Sequence, residues 1–374
     1  MRCLTMCLAL ALCLAPSAVT GQQPGQSIDK TPPPESPAIA VASDEAVRAM
    51  QVFVLPDGVE AQLFAAEPDV ANPVAIDVDA HGLVWVCESF RQERGIEDNR
   101  NHPEWLNDDL AAQTVADRLA YIRRHLGDAA IDYTKQDDRI RVLQDSDNDG
   151  RADRSTVFAD RFNAIEEGTG AGILRVGSDV YFTCIPRLWK LRDNDGDLIA
   201  DERLVLHDGY GVRFAFRGHD LHGLIVGPDG RLYFSIGDRG YHVSDQISDP
   251  ASGAVFRCEL DGSGLEVIAR GLRNPQELVF DDHGNLFTGD NNSDSGDRAR
   301  MVYVVEGGDS GWRMEYQYLP DRGPFNREEI WHPYDPVSTP AFIVPPIDNF
   351  ANGPSGFALY PGTGFSDHMQ GRFL

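Results

Sequence analysis

The sequence is poor in basic residues, in cysteines and in long apolar runs, and each shortage excludes a class of protein. Lys and Arg total 33 against 59 Asp and Glu, which gives a formal net charge of -26. Duplex nucleic-acid binding is excluded because phosphate affinity depends on clustered cations. No apolar run reaches the ~20 residues of a membrane-spanning helix. No Cys-x-x-Cys-His motif is present, so the chain cannot attach a c-type haem through it.

The six cysteines fall into two groups of three. The first group lies in residues 1–21, where Arg2 precedes an apolar run that small residues follow, a pattern typical of a secretory signal peptide. We therefore expect a secreted or periplasmic protein whose mature chain begins near Gln22. The second group is spaced too widely for a disulfide framework or a metal cluster, which favours buried thiols and leaves one disulfide open. Its members are Cys87, Cys184 and Cys258.

Composition divides the remaining chain into a linker and one folded domain. Residues 22–43 are rich in Gln, Pro and Ser, which favours a disordered, extended linker over a packed element. Residues 44–374 form the predicted domain. The whole chain is 42% apolar and 25% charged, values ordinary for a globular protein, so a sizeable core is expected.

Four segments repeat one pattern, in which an alternating apolar strand is followed by a polar turn and a second apolar strand. A hairpin every ~50 residues, with room for two more strands between copies, is typical of a β-propeller blade. The sequence therefore predicts an all-β propeller that is truncated after the start of blade five. The repeats are residues 74–86, 173–182, 224–234 and 278–287, and a partial fifth copy starts at residue 355.

A double gap between the first two repeats holds an insertion. Residues 107–126 carry apolar side chains at near-helical spacing, with Asn107 or Asp108 as the expected cap. This pattern predicts one helix that packs on the outside of blade one. A second, short helix is predicted near residues 44–51.

Two acidic loops, 48 residues apart, align without gaps. Aspartates at alternate positions followed by a glycine resemble the first half of an EF-hand calcium loop. Leu198 replaces the glycine in the second loop, and Thr156 and Leu204 replace the bidentate Glu, so neither is an EF-hand. The loops predict shorter, structural calcium sites, with acidic hairpin turns that bind no ion as the alternative. The predicted ligands are Asp145, Asp147, Asp149 and Asp153 in the first loop and Asp193, Asp195 and Asp197 in the second.

A polar pair recurs at equivalent positions of two repeats. His219 and Arg273 precede the turn glycines of their repeats, Gly230 and Gly284, by the same 11 residues. Segments that enter the innermost strand of a blade lie near the propeller axis, so equivalent positions converge there. The pattern predicts an imidazole and a guanidinium on one rim, as a site or as ordinary rim residues.

Residues 219–312 resemble the soluble quinoprotein glucose dehydrogenases and the related sorbosone and aldose sugar dehydrogenases. The matching stretches are His219, residues 232–240 (Leu-Tyr-Phe-Ser-Ile-Gly-Asp-Arg-Gly), Arg273-Asn-Pro-Gln276 and Gly307-Gly-Asp-Ser-Gly-Trp312. The resemblance implies a six-bladed propeller that uses pyrroloquinoline quinone (PQQ) and calcium. The start of the domain and the acidic loops are similar to a membrane-bound dehydrogenase-like subgroup of planctomycete-type bacteria, whose members often carry a c-type haem module.

This resemblance implies an oxidoreductase that moves a hydride from a sugar or polyol to the quinone, and then electrons to an external acceptor. His219 matches the general base, and Arg273 matches the arginine that polarises the quinone carbonyl. Asn274 is a second expected cofactor contact. Further implied residues are Glu167, Asp220 and His222 at the substrate, with His222 as a rival base, and Asp290, Asn291 and Asn292 at the cofactor calcium.

Two other functions stay open at this point. One is a non-catalytic propeller that binds a glycan or a protein. The other is a propeller lactonase or hydrolase that uses calcium directly.

Overall fold

A computed structural model describes residues 31–55, 58–213, 217–239, 243–247, 253–292, 298–312, 344–350, 353–360, 362 and 369–374. Within these ranges the chain forms four sheets, each based on three or four consecutive antiparallel strands as a propeller blade is. The predicted all-β propeller is therefore confirmed. The predicted signal peptide, residues 1–21, lies outside the described residues, as do residues 22–30 of the predicted linker.

The blades follow one another along the chain. Blade one contains β1 (Pro73–Val78), β2 (Val84–Ser89), β3 (Asp138–Gln144) and β4 (Arg154–Phe162). Blade two contains β5 (Gly170–Val176), β6 (Asp179–Cys184), β7 (Arg187–Arg192) and β8 (Glu202–His207). Blade three contains β9 (Leu221–Val226), β10 (Leu232–Ile236), β11 (Gly253–Cys258) and β12 (Glu266–Leu272). Blade four contains β13 (Pro275–Phe280), β14 (Leu286–Asp290) and β15 (Ala299–Tyr303).

Two further strands complete blades three and four. The chain leaves β15 and adds β16 (Gly308–Asp309) to the outer edge of blade three, parallel to β12. Later, β17 (Asp348–Phe350) pairs with β15 as the fourth strand of blade four. In the partial fifth repeat, Leu359 forms an antiparallel bridge with Phe373. Phe373 packs on Phe287 of blade four with 5.1 Å between the ring centroids.

The hydrophobic core lies between neighbouring blades. One cluster joins Trp85 of blade one to Phe182 of blade two, and another joins Tyr233 of blade three to Leu278 of blade four. Alternating side chains along each strand make both faces of an inner blade apolar, because each face meets a neighbouring blade. Burial of one such side chain stabilises the fold by about 1.5–3 kcal/mol. All three cysteines within the described residues, at positions 87, 184 and 258, are free and buried in these layers.

The outward face of β1 is the exception. Val74, Ile76 and Val78 are 46%, 64% and 59% exposed, although they alternate along an innermost strand. Leu278, at the position of Ile76 in blade four, is only 2% exposed because it packs against blade three. Among the described residues, no neighbouring blade covers this face of blade one.

The helical insertion differs from its prediction in two ways. It forms two helices, α2 (Leu106–Ala111) and α3 (Val115–Leu126), in place of one. The break arises because Thr114 and Asp117 form a capping box that begins a new helix, which outweighs the continuous apolar spacing. The predicted caps at Asn107 and Asp108 are therefore wrong. The short helix predicted near residues 44–51 is confirmed as α1 (Glu45–Met50).

The insertion also lies elsewhere than predicted. Val115 N–H donates to an Asp245 carboxylate oxygen in the β10–β11 loop, at 3.2 Å. Arg213 Nη2, in the segment that leads to β9, donates to the Leu110 carbonyl at 2.9 Å. Arg118 Nη2 donates to the Glu166 carbonyl before β5 at 2.9 Å. The prediction that the insertion packs outside blade one is therefore wrong: it covers the end of the propeller where the chain enters β5 and β9.

The described part of the predicted linker, residues 31–43, contains no helix or strand. It contacts the folded domain at two points. The Glu35 N–H donates to the Lys135 carbonyl at 2.7 Å, and Asn163 Nδ2 donates to the Pro32 carbonyl at 3.0 Å. In the part of the chain that the structure describes, no helix combines the length and the apolar character that a membrane crossing requires.

Candidate active site

The candidate site lies at the propeller end where the chain enters the innermost strands. His219 is two residues before β9, and Arg273 is two residues before β13, so the two occupy equivalent positions in blades three and four. The strand β10 ends beside them: Asp238 donates its main-chain N–H to the Arg273 carbonyl at 2.7 Å. The end of β10 therefore links the segment that carries His219 to the segment that carries Arg273.

Asp238 is the carboxylate partner of His219. His219 Nδ1 lies 2.8 Å from Asp238 Oδ1, and Trp312 Nε1 donates to Asp238 Oδ2 at 2.6 Å. All three side chains are buried. A ring that donates through Nδ1 carries its lone pair on Nε2 when neutral, so the carboxylate selects the tautomer suited to a base at Nε2.

Burial and the nearby Arg273 guanidinium lower the pKa of His219 below its ordinary value of 6.5, and they outweigh the opposing effect of Asp238. The imidazole is therefore neutral near pH 7. Neutrality is what a general base requires.

Arg273 is held by the main chain as well as by burial. Its N–H and that of Asn274 donate to the Asp290 carboxylate, at 3.1 and 2.7 Å. Asp290 is itself buried and pairs with Arg300 from β15. The Arg273 guanidinium carbon lies 5.7 Å from the centre of the Trp312 ring. The arginine is therefore fixed from both its backbone and its side chain.

Asp220 and His222 lie in the same segment but serve the loop. His222 Nε2 lies 2.8 Å from the Gly218 carbonyl and 3.2 Å from the Asp220 N–H. The Asp220 carboxylate accepts from Arg239 Nη1 at 3.3 Å. The acidic partner of His219 is thus Asp238, and His222 shapes the turn that carries His219.

Glu167 lies on the same rim, in the loop that enters β5. Its carboxylate accepts from Arg187 Nη1 at 3.1 Å and from the Ala164 N–H at 2.7 Å. Burial raises its pKa despite the attraction of Arg187. A Cβ on the following residue, Gly168, would come within 3.0 Å of Asp220 Oδ1, so the loop packs directly against the His219 segment.

The stretch from Asp290 to Asn292 begins at the last residue of β14, at this end of the propeller. The Asp290 carboxylate is engaged by two N–H groups and by Arg300, as described above. Arg300 Nη2 also lies 3.5 Å from the Asn291 carbonyl. A calcium ion here would thus be held by Asn291, Asn292 and main-chain carbonyls, the ligand type that calcium accepts.

The two acidic loops lie at the opposite end, in the β3–β4 and β7–β8 turns. Three carboxylates in each loop place ligand oxygens within 4.8 Å of one another. The loops share one turn, since Gly150 and Leu198 both have left-handed backbones, at φ +86° and +64°. Each donates its N–H to the first aspartate of its loop, at 2.8 and 2.9 Å. The converging residues are Asp145, Asp147 and Asp149, and Asp193, Asp195 and Asp197.

Asp153 stands apart from its loop's cluster. Its carboxylate accepts from the N–H and the hydroxyl group of Ser146, at 3.3 and 2.5 Å. The structure therefore brings together six of the seven loop carboxylates predicted as ligands, three in each loop.

Sequence reasoning missed two residues of the site, Asp238 and Trp312. Both fall in stretches that resemble quinoprotein glucose dehydrogenases, Gly-Asp-Arg-Gly240 and Gly-Gly-Asp-Ser-Gly-Trp312. The position of Asp238 could have indicated its role. It lies two residues after β10, which pairs directly with β9, the strand that follows His219.

The chain has partial similarity to known proteins. Quinoprotein glucose dehydrogenase B of Acinetobacter calcoaceticus is 28% identical over 137 residues, which cover 29% of this chain and 28% of that protein. The PQQ-bound aldose sugar dehydrogenase of Streptomyces coelicolor has a TM-score of 0.44 and 16% identity, covering 77% of this chain and 72% of the other. A glucose dehydrogenase-type oxidoreductase of Thermus thermophilus has a TM-score of 0.44 and 18% identity, covering 78% and 74%.

The alignment to the curated relative spans less than a third of that protein's length. A family model described as a domain of unknown function, DUF7133, matches residues 45–374. The chain is similar to PQQ-dependent glucose dehydrogenase-like propellers, and it belongs to the DUF7133 family.

Proposed function

We propose that this chain forms the catalytic propeller of a PQQ- and calcium-dependent dehydrogenase that oxidises a hydroxyl group of a sugar or polyol. The observation that carries the proposal is the placement of His219 and Arg273 at equivalent blade entries, joined through Asp238. The name of the curated relative, a quinoprotein glucose dehydrogenase, supports the same cofactor and substrate class.

In this proposal His219 removes the hydroxyl proton of the substrate at Nε2. Asp238 holds the ring through Nδ1 and stabilises the imidazolium that forms when the proton arrives. Arg273 places positive charge on the same rim, where a bound quinone would gain negative charge on accepting the hydride. Burial of these groups strengthens the electrostatic interactions among them.

The surroundings of His219 and Arg273 support a bound cofactor. A Cβ on Gly218 would meet no atom within 4 Å, so the backbone beside His219 borders open space among the described residues. PQQ would supply the electrophilic quinone carbon that receives the hydride. Arg273 and Asn274, which share the Asp290 carboxylate as an anchor, would hold the carbonyl side of the quinone. Asn291 and Asn292 would hold its calcium.

The proposal is tested with the full-length protein, supplied with PQQ and calcium, in dye-linked oxidation of a panel of aldoses and polyols. His219→Gln should lower kcat/KM by about 10²–10⁴-fold, the usual contribution of a general base. His222→Gln is the matched control, since this neighbouring imidazole contacts the turn backbone, and it should retain most of the activity. Oxidation that depends on His222 and not on His219 would assign the base to the rival residue.

PQQ binding is measured by absorbance. If the protein neither binds PQQ nor oxidises any compound of the panel, the proposal is overturned. That result would favour the propeller as a binding module. A single central calcium that supports ester or lactone hydrolysis without quinone would instead favour a propeller hydrolase.

Cellular location and electron acceptor belong to the same proposal. The leader-like residues 1–21 support export to the periplasm or the medium. The two acidic loops support membership of the planctomycete-type membrane-bound dehydrogenase-like subgroup, and a c-type haem module would then be the electron acceptor. Redox difference spectra of the native protein, with and without substrate, test this step.

A further inference from the structure

The indole of Trp312 contacts both halves of the candidate site. Its Nε1–H donates to Asp238 Oδ2 at 2.6 Å, and its ring lies 5.7 Å from the guanidinium carbon of Arg273. The side chain is 3% exposed. Asp238 belongs to blade three and Arg273 to the entry of blade four, so one indole touches groups from two blades.

The fold places Trp312 there by an unusual route. After β15 the chain returns to blade three, where β16 pairs with β12 and the Trp312 N–H donates to the Gly271 carbonyl at 2.9 Å. Gly271 has a left-handed backbone at φ +75°, and a Cβ on it would lie 2.2 Å from Asp309 Oδ1 and 2.5 Å from Gly311 N. A glycine is therefore required where the returning segment crosses β12.

We propose that Trp312 is a positioning residue for His219, because its indole N–H fixes the carboxylate that orients the imidazole. With Oδ1 directed to His219 and Oδ2 directed to Trp312, Asp238 cannot rotate without breaking one of the two hydrogen bonds. The ring also lies against Arg273 as a cation–π partner, which fixes the spacing between the base and the arginine. A catalytic consequence rests on the dehydrogenase function proposed above, but the positioning does not.

The charge on Asp238 predicts the direction in which the His219 pKa should change when Trp312 is replaced. An N–H donor to a carboxylate withdraws negative charge, which makes the carboxylate a weaker partner for an imidazolium. Loss of the indole N–H should therefore strengthen the attraction of Asp238 for protonated His219. The imidazole should then hold its proton to a higher pH.

The test is Trp312→Phe in the full-length protein, with ring resonances of isotope-labelled histidine followed against pH. His219→Gln assigns the His219 signals. Trp312→Phe should raise the His219 pKa by about one pH unit, the effect of one hydrogen bond to a charged group. In the PQQ-loaded enzyme, kcat/KM should fall by about 10–100-fold, and the acidic limb of its pH profile should move upward with the imidazole.

Trp189→Phe is the matched control. Trp189 is another buried tryptophan, 2% exposed, and its Nε1 has no hydrogen-bond partner among the described residues. This variant should lower the melting temperature and leave the His219 titration unchanged. An unchanged titration in Trp312→Phe as well would overturn the inference and leave Trp312 a structural residue.

A second measurement applies if Trp312→Phe does not fold. In the wild-type protein the indole N–H resonance of Trp312 should shift with the His219 titration, and the shift should disappear in Asp238→Asn. If the indole N–H resonance does not shift as His219 titrates, the inference is refuted. If Trp312→Phe changes the His219 titration but the protein has no dehydrogenase activity, the positioning role is upheld and the proposed function is refuted.

Discussion

Glu88 and Asp290 occupy the same structural position in blades one and four. Each lies at the end of its blade's second strand, opposite the first proline of the innermost strand, Pro73 or Pro275. Each accepts the main-chain N–H of the residue two positions before that proline, at 2.7 Å in blade one and 3.1 Å in blade four. Each also pairs with an arginine of the third strand, Arg141 or Arg300.

Neutralising either carboxylate should affect stability in the same way but cofactor binding differently. Glu88→Gln and Asp290→Asn should each lower the free energy of unfolding by about 3–5 kcal/mol, because either removes the negative charge that faces a buried arginine. Of the two variants, only Asp290→Asn should also weaken PQQ binding, that is, raise its Kd, because Asp290 and not Glu88 anchors Arg273 and Asn274. Denaturant unfolding and cofactor titration check the two effects separately. Equal effects of the two variants on cofactor affinity would contradict the prediction.

The lowered pKa of His219 predicts the pH range of activity. Because the imidazole stays neutral below its ordinary value of 6.5, kcat/KM should hold as the pH falls through 6.5 and decline only at a lower pH. A pH–rate profile checks this expectation. A decline centred at or above pH 6.5 would show that the base has an unshifted or raised pKa.

The same shift predicts a pH dependence of stability. Above about pH 6.5 both the folded and the unfolded chain carry neutral His219, so its contribution to stability is fully present. As the pH falls from there toward the folded-state pKa, the unfolded chain binds a proton that the folded chain does not, and stability is lost. His219→Gln should therefore show a smaller loss of melting temperature over this interval than wild type. A loss of the same size in both proteins would exclude His219 as a contributor.

The acidic loops predict a stabilising effect of calcium without a direct effect on catalysis. Calcium at about 100 times its dissociation constant should stabilise the folded chain by about 2.7 kcal/mol per site. Asp147→Asn and Asp195→Asn should each reduce this effect, because each removes a converging carboxylate. Asp153→Asn is the control, since this carboxylate bonds to Ser146 in place of the cluster. Melting curves with calcium and with a chelator check the prediction, and a chelator-insensitive melting temperature would contradict it.

The exposed face of β1 predicts self-association, because it presents alternating apolar side chains to solvent among the described residues. Ile76→Glu should reduce aggregation with little change in melting temperature, because Ile76 is 64% exposed. Leu278→Glu, the equivalent change in blade four, should unfold the protein, because Leu278 is buried against blade three. Light scattering and calorimetry distinguish these outcomes. Unchanged aggregation in Ile76→Glu would show that another surface causes the self-association.

The propeller could be predicted from sequence because period-2 alternation and turn residues are local signals. Each predicted repeat, from the one around Ile76 to the one around Leu278, became the first hairpin of a blade. The helical insertion was harder to predict. Apolar spacing continued across the break, and only the short-range cap at Thr114 decided where α3 begins.

Half of the candidate site could be predicted and half could not. His219 and Arg273 follow from repeat register, which is visible in the sequence. Asp238 becomes a partner of His219 only when the register of β9 and β10 is known, and Trp312 joins them only because the chain returns to blade three. Such long-range pairings leave no periodic signal. The left-handed backbone of Leu198 was not expected for a different reason, because glycine adopts this conformation far more readily than leucine does.

The return of the chain through β16 means that the blades are not independent modules. Residues 304–312 lie between the third and fourth strands of blade four in sequence, yet they supply the outer edge of blade three and the indole at its end. A chimera that exchanges blade four at its sequence boundaries would therefore damage the neighbouring blade. Recombination of this domain with relatives should keep blade three and residues 304–312 from the same parent.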